Sequence, residues 1–273
     1  MVESEHFLFS IDEGVGVITF NRPERLNPIN WDMGDDMCEL LRKLRQNDDV
    51  RVIVMTGAGR GFSAGGDADW LSGNSDRGLP GITDVELERY QRKTPAGPIA
   101  EAVRWIYDVD KPVIAAVHGP AMGAGLAYAL ACDRRFGDPT TQMCAAMVRL
   151  GFAPDCGISW LLPRITSLST ALRMVETGAI LGAEECLKEG LIDELTEEGK
   201  HLEAAMAYAK KLAKGPSVAV DLARRFVYKS LVSTLEEMLD YEAIAATRTS
   251  DTKDAKEGTS AFVEKRKPKF EGR

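Results

Sequence analysis

The feature that most constrains the fold is a strand–turn–helix pattern in the middle of the chain, within residues 112–157. It begins with the apolar run VIAAV at 113–117, which is typical of a buried strand. The breaker HGP at 118–120 ends the run, and the small residues MGAG at 122–125 lead into the helix-forming segment LAYALAC at 126–132. The first amides of such a helix have no intrahelical partner, and the helix dipole is positive there. The pattern therefore predicts an α/β fold that directs free backbone N–H groups at a negatively charged or polarised group.

A second turn of the same kind lies upstream. The strand-like segment RVIVMT at 51–56 is followed by the glycine-rich turn GAGRG at 57–61 and then by FSAGGD at 62–67. Glycine and alanine in both turns would let a ligand approach the backbone closely. One exposed amide from each turn would form an oxyanion hole. Each turn taken alone also fits an ordinary tight turn, because glycine turns are common.

Four blocks of the sequence resemble the crotonase (enoyl-CoA hydratase/isomerase) superfamily. In family order they are NRP at 21–23, FSAGGD at 62–67, the segment from IAAVHG to ACD at 114–133, and AFVEKRKP at 261–268. The resemblance covers about residues 15–270 and implies a spiral of ββα repeats. It also implies an acyl-CoA-binding catalytic core over residues 1–198. A C-terminal helical region over residues 199–273 would pack on the core or on another subunit, and family members form trimers or dimers of trimers.

The resemblance implies which groups would act on a CoA thioester. It assigns the oxyanion-hole amides to Ala64 and Ala124. Hydratases of the family carry two glutamates, and the positions that match them here hold Ala127 and Met147. Neither side chain transfers protons, so ordinary addition of water is disfavoured.

One carboxylate remains in the right neighbourhood, that of Asp155 in FAPDCG at 152–157. Its apolar flanks would raise its pKa towards a value that suits acid–base catalysis. The same position also fits a helix N-cap. Dienoyl-CoA isomerases and the ring-1,2-epoxyphenylacetyl-CoA isomerase place an aspartate here, and the latter also resembles GAG at 123–125 and WLLPR at 160–164. Family dehalogenases use an aspartate here as nucleophile, but His118 precedes the turn and is expected to be a packed residue rather than a catalytic partner.

These observations predict an acyl-CoA isomerase that shifts a double bond, or isomerises a ring, through a thioester enolate with Asp155 as the proton shuttle. An alternative is a hydratase or dehydratase that acts on an enoyl-CoA or a cyclic dienoyl-CoA with Asp155 alone. A non-catalytic acyl-CoA-binding protein, or an RNA-binding relative, is the alternative of another class. Both fatty acid metabolism and aromatic degradation fit the prediction.

The resemblance also implies a CoA channel. Its expected lining is Arg25, Leu26, Ala64, Gly66, Asp67 and Gly123. Trp70 and Leu71 would wall the acyl pocket, although core packing fits them equally well. Phe262 and Lys265 would reach the CoA of a neighbouring subunit, although the basic run around Lys265 also fits a solvated helix.

Composition excludes several other functions. The 273 residues carry a net charge of −8, which argues against nucleic acid as the main partner. No run of 18 apolar residues predicts a membrane span, and the start, MVESE, does not resemble a secretory signal. The five cysteines form no CxxC pair and the three histidines lack ligand spacing, which predicts free thiols, a reducing cytoplasm and no metal. No cofactor is expected beyond the CoA of the substrate.

Periodicity predicts the remaining elements. Expected strands cover 15–20, 51–56, 113–117, 133–137, 141–143 and 190–193. A helix is expected from Trp31 with Asn30 as its cap, and 85–106 is expected to be mostly helical, with a break at 95–98, after a loop at 72–83. Further helices are expected over 126–132, 160–162, 164–176, 183–188, 202–212, 218–231 and 235–247. Ser233 and Glu236 fit a capping box for the last of these helices.

Overall fold

The computed structural model describes residues 4–72 and 97–273. Its strands are β1 (Phe7–Asp12), β2 (Val15–Phe20), β3 (Pro28–Ile29), β4 (Val52–Gly57), β5 (Gly65–Gly66), β6 (Val113–Val117), β7 (Pro120–Met122), β8 (Arg134–Gly137), β9 (Gln142–Cys144), β10 (Leu181–Gly182) and β11 (Glu194–Leu195). Its helices are α1 (Trp31–Arg45), α2 (Ala68–Leu71), α3 (Gly97–Asp108), α4 (Ala124–Ala131), α5 (Ile158–Ile165), α6 (Leu168–Thr177), α7 (Ala183–Lys188), α8 (His201–Ala213), α9 (Ser217–Ser230), α10 (Leu235–Ser250) and α11 (Lys253–Val263), with 3-10 turns at Pro23–Arg25 and Ala146–Leu150.

The main sheet has six strands in the order β1-β2-β4-β6-β8-β11. Only the β1–β2 hairpin is antiparallel, and every later neighbour pairs in parallel. The predicted central strand is confirmed as β6, which is buried along its whole length between β4 and β8. Parallel strands are covered on both faces by crossover elements, which explains why the β6 sequence is apolar at every position.

Side chains of β4 and β6 alternate between two cores. Val52, Val54, Ile114 and Ala116 face α8, whose buried side chains include Ala205, Ala209 and Ala213. The residues between them point into the larger core beneath α1, α3 and α4. Small alanines on α8 let this helix approach the sheet closely. The sheet therefore separates α8 from the layer that carries the candidate site.

Two smaller sheets complete the second layer. One has the order β10-β9-β7 and the other pairs β3 with β5. Each of the short strands β3, β5, β7 and β10 leads directly into a helix. The chain therefore winds as the predicted spiral. The parallel pairing of Pro28 with Gly65 and of Ile29 with Gly66 holds the 62–67 segment against the 26–29 segment.

Several boundaries differ from the sequence predictions. The Asn30 cap is confirmed, since its side chain accepts a hydrogen bond from the Met33 amide at 2.9 Å. The capping box is formed by Thr234 and Glu237, one residue later than predicted. The last strand of the sheet is β11 rather than residues 190–193, and β1 and α11 were not predicted. Most of the 72–83 loop and most of the predicted 85–106 helix lie outside the described residues, which show only α3.

The C-terminal helices attach to the core through a buried ion pair. The Arg224 guanidinium on α9 donates from Nε to both Asp133 carboxylate oxygens, at 2.7 and 2.8 Å, and its side chain is only 8% exposed. The same guanidinium donates to the Val109 and Tyr107 carbonyls, and the Tyr228 hydroxyl donates to Asp133 at 2.6 Å. The Asp133 carboxylate also accepts from the Val113 amide at the start of β6.

Among the described residues, no helix is long and apolar enough to cross a bilayer.

Breaking this ion pair should destabilise the fold. Arg224→Met leaves the Asp133 carboxylate without its cation, so the free energy of unfolding should fall by about 3–5 kcal/mol in urea titrations. Arg225→Met is the matched control on the same helix, because the Arg225 side chain is 44% exposed in its ion pairs with Asp110 and Asp221. Its effect should be about 0–1 kcal/mol. Equal effects of the two substitutions would contradict this assignment.

Candidate active site

The two glycine-rich turns meet, as the sequence predicts. The Ser63 amide donates to the Pro120 carbonyl at 2.9 Å, and the Met122 amide donates back to the Ser63 carbonyl at 3.0 Å. A Cβ placed on Gly65 would lie 2.6 Å from the Met122 carbonyl oxygen and 3.6 Å from the Ala124 amide nitrogen. Only glycine fits at that position, and the start of α4 therefore lies directly beside β5.

The Ala124 amide is the first N–H of α4. The preceding residue, Gly123, has a φ of 50°, and no side chain caps the helix. The Gly123 amide donates to the Cys144 carbonyl at 2.9 Å, and the Ala127 amide donates to the Gly123 carbonyl at 3.0 Å. The described residues offer the Ala124 amide no acceptor, so this N–H remains a donor at the positive end of the helix.

The second predicted donor, the Ala64 amide, is already engaged. It donates to the Leu26 carbonyl at 2.7 Å, so the prediction of a free amide at Ala64 is not met. The next candidate is Gly66. The Asp67 amide points to the Ile29 carbonyl in β3, at 2.9 Å. Because successive amides of a strand point to opposite sides, the Gly66 N–H points away from β3.

Asp155 precedes α5, and α5 packs on α4. The N-cap of α5 is Gly157 and no side chain caps it, so the interpretation of Asp155 as a capping residue is wrong. Cys156 and Gly157 both have left-handed backbone, with φ of 51° and 78°, and they form the turn between Asp155 and the helix. Desolvation raises the pKa of the Asp155 carboxyl although the residue keeps exposed surface. Hydrogen bonds from the Cys156 thiol and from its own amide offset the shift only in part.

Apolar groups occupy the two positions at which the resemblance places glutamates in hydratases. Ala127 is fully buried in α4, and Met147 is 8% exposed. The Met147 thioether lies 3.9 Å from the position of a Cβ on Gly123, so it packs beside the start of α4. Neither residue can donate or accept a proton. Asp155 is therefore the acid–base group that the sequence argument leaves at this site.

The residues expected to line the CoA channel lie around β5. Arg25 contacts Asp67 at 3.3 Å and Asp69 at 2.8 Å. The Asp67 carboxylate is 6% exposed and also pairs with Arg22 at 2.8 Å, so it holds the turn together. Leu71 lies against Gly66, with its Cδ1 atom 3.1 Å from where a Cβ would be.

The remaining residues of the predicted channel are Leu26, Trp70, Phe262 and Lys265. Leu26 has a left-handed backbone with φ of 61°, and its carbonyl accepts the hydrogen bond from the Ala64 amide. The Trp70 side chain lies outside the described residues. Phe262 is 85% exposed at the end of α11, and Lys265 is exposed just beyond it. Their predicted contact with the CoA of a neighbouring subunit stays a prediction.

His118 takes the packed role that the sequence suggests. Its ring stacks on that of His201 with centroids 4.4 Å apart, and its Nε2 atom lies 3.0 Å from the Gly59 carbonyl. His201 in turn contacts Asp138 at 3.1 Å, and desolvation lowers the pKa of its imidazole.

Within residues 4–72 and 97–273, no group of three or more His, Cys, Asp or Glu side chains is placed to hold a metal ion.

Sequence reasoning assigned no role to the side chains of two residues that shape the site. The Asn27 side-chain amide donates to the Ala58 and Gly61 carbonyls at 2.9 and 2.8 Å, and so ties the 57–61 turn to the 22–27 turn. The Ser63 hydroxyl donates to the Asn27 carbonyl at 2.7 Å. Asn27 has a φ of 55°, and asparagine's tolerance of left-handed backbone was the signal that could have identified it.

Comparisons with known proteins identify the family and the fold. Residues 10–273 match the family model described as enoyl-CoA hydratase/isomerase. The 1,2-epoxyphenylacetyl-CoA isomerase of Escherichia coli is 33% identical over 269 residues, covering 98% of this chain and 99% of that protein. The (E)-benzylidenesuccinyl-CoA hydratase of Thauera aromatica is 30% identical, covering 96% and 97%. The crystal structure of an enoyl-CoA hydratase from Bacillus anthracis superposes with a TM-score of 0.87 at 27% identity, covering 98% of this chain and all of that one.

Proline at position 124 tests the Ala124 amide as a donor. Ala124→Pro removes only this N–H, and proline is tolerated at the first position of a helix. We expect the free energy of unfolding to change by about 1 kcal/mol at most. Turnover of an acyl-CoA substrate should fall about 10²–10³-fold, the typical loss for one oxyanion-hole donor.

The control for this substitution is Leu168→Pro. Leu168 is the first residue of α6 and is 65% exposed. It should change neither turnover nor KM beyond about twofold, because α6 starts away from the two turns. Full activity in Ala124→Pro would contradict the assignment of its amide.

Proposed function

The chain belongs to the enoyl-CoA hydratase/isomerase family and has the crotonase fold, and we propose that it is an acyl-CoA isomerase. The observations that carry the proposal are the free helix amide at Ala124 and the Asp155 carboxyl, whose pKa desolvation raises, together with the apolar side chains at the positions of the hydratase glutamates. The isomerase relative with 33% identity supports the same reading.

In this proposal the thioester oxygen of the substrate accepts hydrogen bonds from the Ala124 and Gly66 amides. Both belong to backbone that the turns hold in place, so no reorganisation is needed as charge develops on the oxygen. Each donor would lower the barrier by about 2.7–4 kcal/mol, the cost of removing one such donor. Leu71 would pack against the bound group beside Gly66.

The Asp155 carboxylate would then move the proton. With a 3-enoyl-CoA it removes a proton from C2, and the electron pair of that C–H bond delocalises into a dienolate whose charge rests on the thioester oxygen. The protonated Asp155 returns the same proton to C4, which leaves a 2-enoyl-CoA of unchanged mass. A pKa raised by desolvation suits this role, because the group must both accept and release the proton near neutral pH.

The second candidate is a hydratase or dehydratase. The 30% identical Thauera aromatica relative is named a hydratase, which favours this alternative. Asp155 would then activate a water molecule or protonate a leaving hydroxide, and the product would differ from the substrate by the mass of water. Mass spectrometry of products from enoyl-CoA and dienoyl-CoA substrates separates the two: isomerisation leaves the mass unchanged.

We further propose that the chain assembles as a trimer or a dimer of trimers. The support is a set of exposed apolar side chains on and between the C-terminal helices, namely Val227, Leu231, Val232, Leu235, Ile244, Phe262 and Val263. Large exposed apolar surfaces of this kind favour association. In such an assembly Phe262 and Lys265 would contact CoA bound to a neighbouring subunit.

Replacing the proposed shuttle should separate catalysis from binding. Asp155→Asn preserves size but removes the base, so kcat for isomerisation should fall about 10²–10⁴-fold. Binding of a saturated acyl-CoA, measured by calorimetry, should change little. Asp221→Asn is the control, because burial also raises the pKa of this carboxyl on α9, outside the site. Unchanged turnover in Asp155→Asn would contradict the mechanism and favour an acyl-CoA-binding protein.

The pH dependence should follow the pKa of Asp155. The first step needs the ionised carboxylate, so kcat/KM should fall as the pH is lowered through the pKa of Asp155. Because this pKa is raised, the fall should begin at a higher pH than for an ordinary aspartate, whose pKa is about 3.9. The raised pKa also means that the folded protein is destabilised when Asp155 is ionised, at pH values above its pKa. Asp155→Asn should therefore be more stable than the wild type at neutral pH, and this gain should vanish below the ordinary Asp pKa. A stability gain of Asp155→Asn that grows as the pH is lowered would contradict a raised pKa of Asp155.

A further inference from the structure

Ser63 lies between the two glycine-rich turns and contacts both. Its side chain is fully buried, and its hydroxyl donates to the Asn27 carbonyl at 2.7 Å. The same oxygen accepts the Gly65 amide at 3.2 Å. The Ser63 backbone meanwhile pairs with Pro120 and Met122 just ahead of α4. One residue thus joins the 26–29 segment, β5 and β7.

The side chain also packs against the first turn of α4. A Cβ on Gly125 would lie 2.7 Å from the Ser63 Cβ atom and 2.9 Å from its hydroxyl oxygen. Real side chains do not approach so closely, so Gly125 is required for the helix to rest on Ser63. This contact acts with the backbone hydrogen bonds of Ser63 to hold β5 beside the start of α4.

The hydroxyl restrains the peptide that leads into Gly65. Gly65 has a φ of 91°, in the left-handed region, and glycine has the widest choice of backbone angles. The Gly65 N–H belongs to the Ala64–Gly65 peptide, so the Ser63 hydroxyl holds the backbone where it enters Gly65, and the pairing of Gly65 and Gly66 with β3 holds the peptide that follows. That peptide carries the Gly66 N–H, the second donor of the proposed oxyanion hole.

We propose that Ser63 is a positioning residue, whose hydroxyl holds the backbone at the entry to Gly65 and so, together with the β3 pairing, sets the spacing of the Gly66 and Ala124 amides. The inference rests on the proposed function, because it takes these two amides as the donors to the thioester oxygen. Ser63 itself is fully buried and contacts backbone rather than substrate.

Thr56 supplies a matched control for the loss of one buried hydroxyl. It is 3% exposed in β4, and its hydroxyl donates to the Ala116 carbonyl at 3.0 Å. Thr56→Val and Ser63→Ala each delete one buried hydroxyl-to-carbonyl hydrogen bond, so both should lower the free energy of unfolding. Only Ser63→Ala also frees the Gly65 amide, so only this variant should disturb the donors.

The kinetic test compares these variants on a 3-enoyl-CoA that the wild type isomerises. For Ser63→Ala we expect kcat to fall about 10–100-fold with KM within about threefold, because small misplacements of the reacting groups cost up to about 10²-fold. Thr56→Val should stay within about twofold of the wild type in both constants. Equal kcat values for Ser63→Ala and Thr56→Val would overturn the inference.

A spectroscopic test does not depend on turnover. Hexanoyl-CoA labelled with ¹³C at the thioester carbonyl has no double bond to move, and isotope-edited infrared spectroscopy reports how strongly its carbonyl is polarised when bound. The wild type and Thr56→Val should shift the carbonyl stretch to lower frequency by the same amount, and Ser63→Ala should lose at least half of that shift. If Ser63→Ala does not fold, Ser63→Cys, which keeps a weak donor and acceptor at the same place, should give an intermediate shift.

The outcomes separate the two claims. A bound wild-type complex with no shift would contradict the proposed oxyanion hole itself. A normal wild-type shift that persists in full in Ser63→Ala, or in Ser63→Cys if that variant is the one that folds, would overturn the role of Ser63 and leave the proposed function standing. A normal shift in the wild type and in Thr56→Val, together with loss of the shift in Ser63→Ala, supports both claims.

Discussion

The site depends on two backbone hydrogen bonds between Ser63 and the 120–122 segment, at 2.9 and 3.0 Å. They join the chain that leaves β4 to the chain that leaves β6. Because β4 and β6 are parallel neighbours, both segments emerge at the same edge of the sheet, where ligands of α/β folds bind. The hydrogen bonds turn this neighbourhood into a fixed contact between β5 and α4. Without them, the donors of the two turns would have no defined separation.

A site whose donors are main-chain amides separates charge stabilisation from the choice of reaction. The amides of Ala124 and Gly66 are placed by the fold, and their position does not require particular side chains beyond small ones. The choice between isomerisation and hydration then depends on which acids and bases stand around the acyl group. In the proposed mechanism Ala127 and Met147 offer no such group, and Asp155 offers one. On this proposal, one set of main-chain donors would serve either reaction.

Local sequence predicted the elements whose signal is local. The uninterrupted apolar run at 113–117 predicted a buried strand, and Asn30 before an apolar helical stripe predicted its cap; both are confirmed. The four blocks in family order predicted the spiral. Adjacent cap residues were harder: Ser233 and Thr234 precede Glu236 and Glu237, so the capping box fits two frames, and packing decides between them.

The details of the site required contacts between distant residues. Motif order names the FSAGGD turn but does not tell which amide is engaged, because that depends on the Leu26 carbonyl approaching Ala64. Whether Asp155 caps a helix depends on where α5 begins, and the left-handed turn at Cys156 and Gly157 delays that start. The Arg224–Asp133 pair joins residues 91 positions apart and has no local signature.

A crystal structure with a bound, saturated acyl-CoA tests the central claim most directly. The account predicts a thioester oxygen about 2.7–3.1 Å from the amide nitrogens of both Ala124 and Gly66. The Asp155 carboxylate should face the carbon chain of the acyl group rather than its sulfur. A thioester oxygen bound elsewhere, or an Asp155 side chain turned away from the acyl group, would contradict the account.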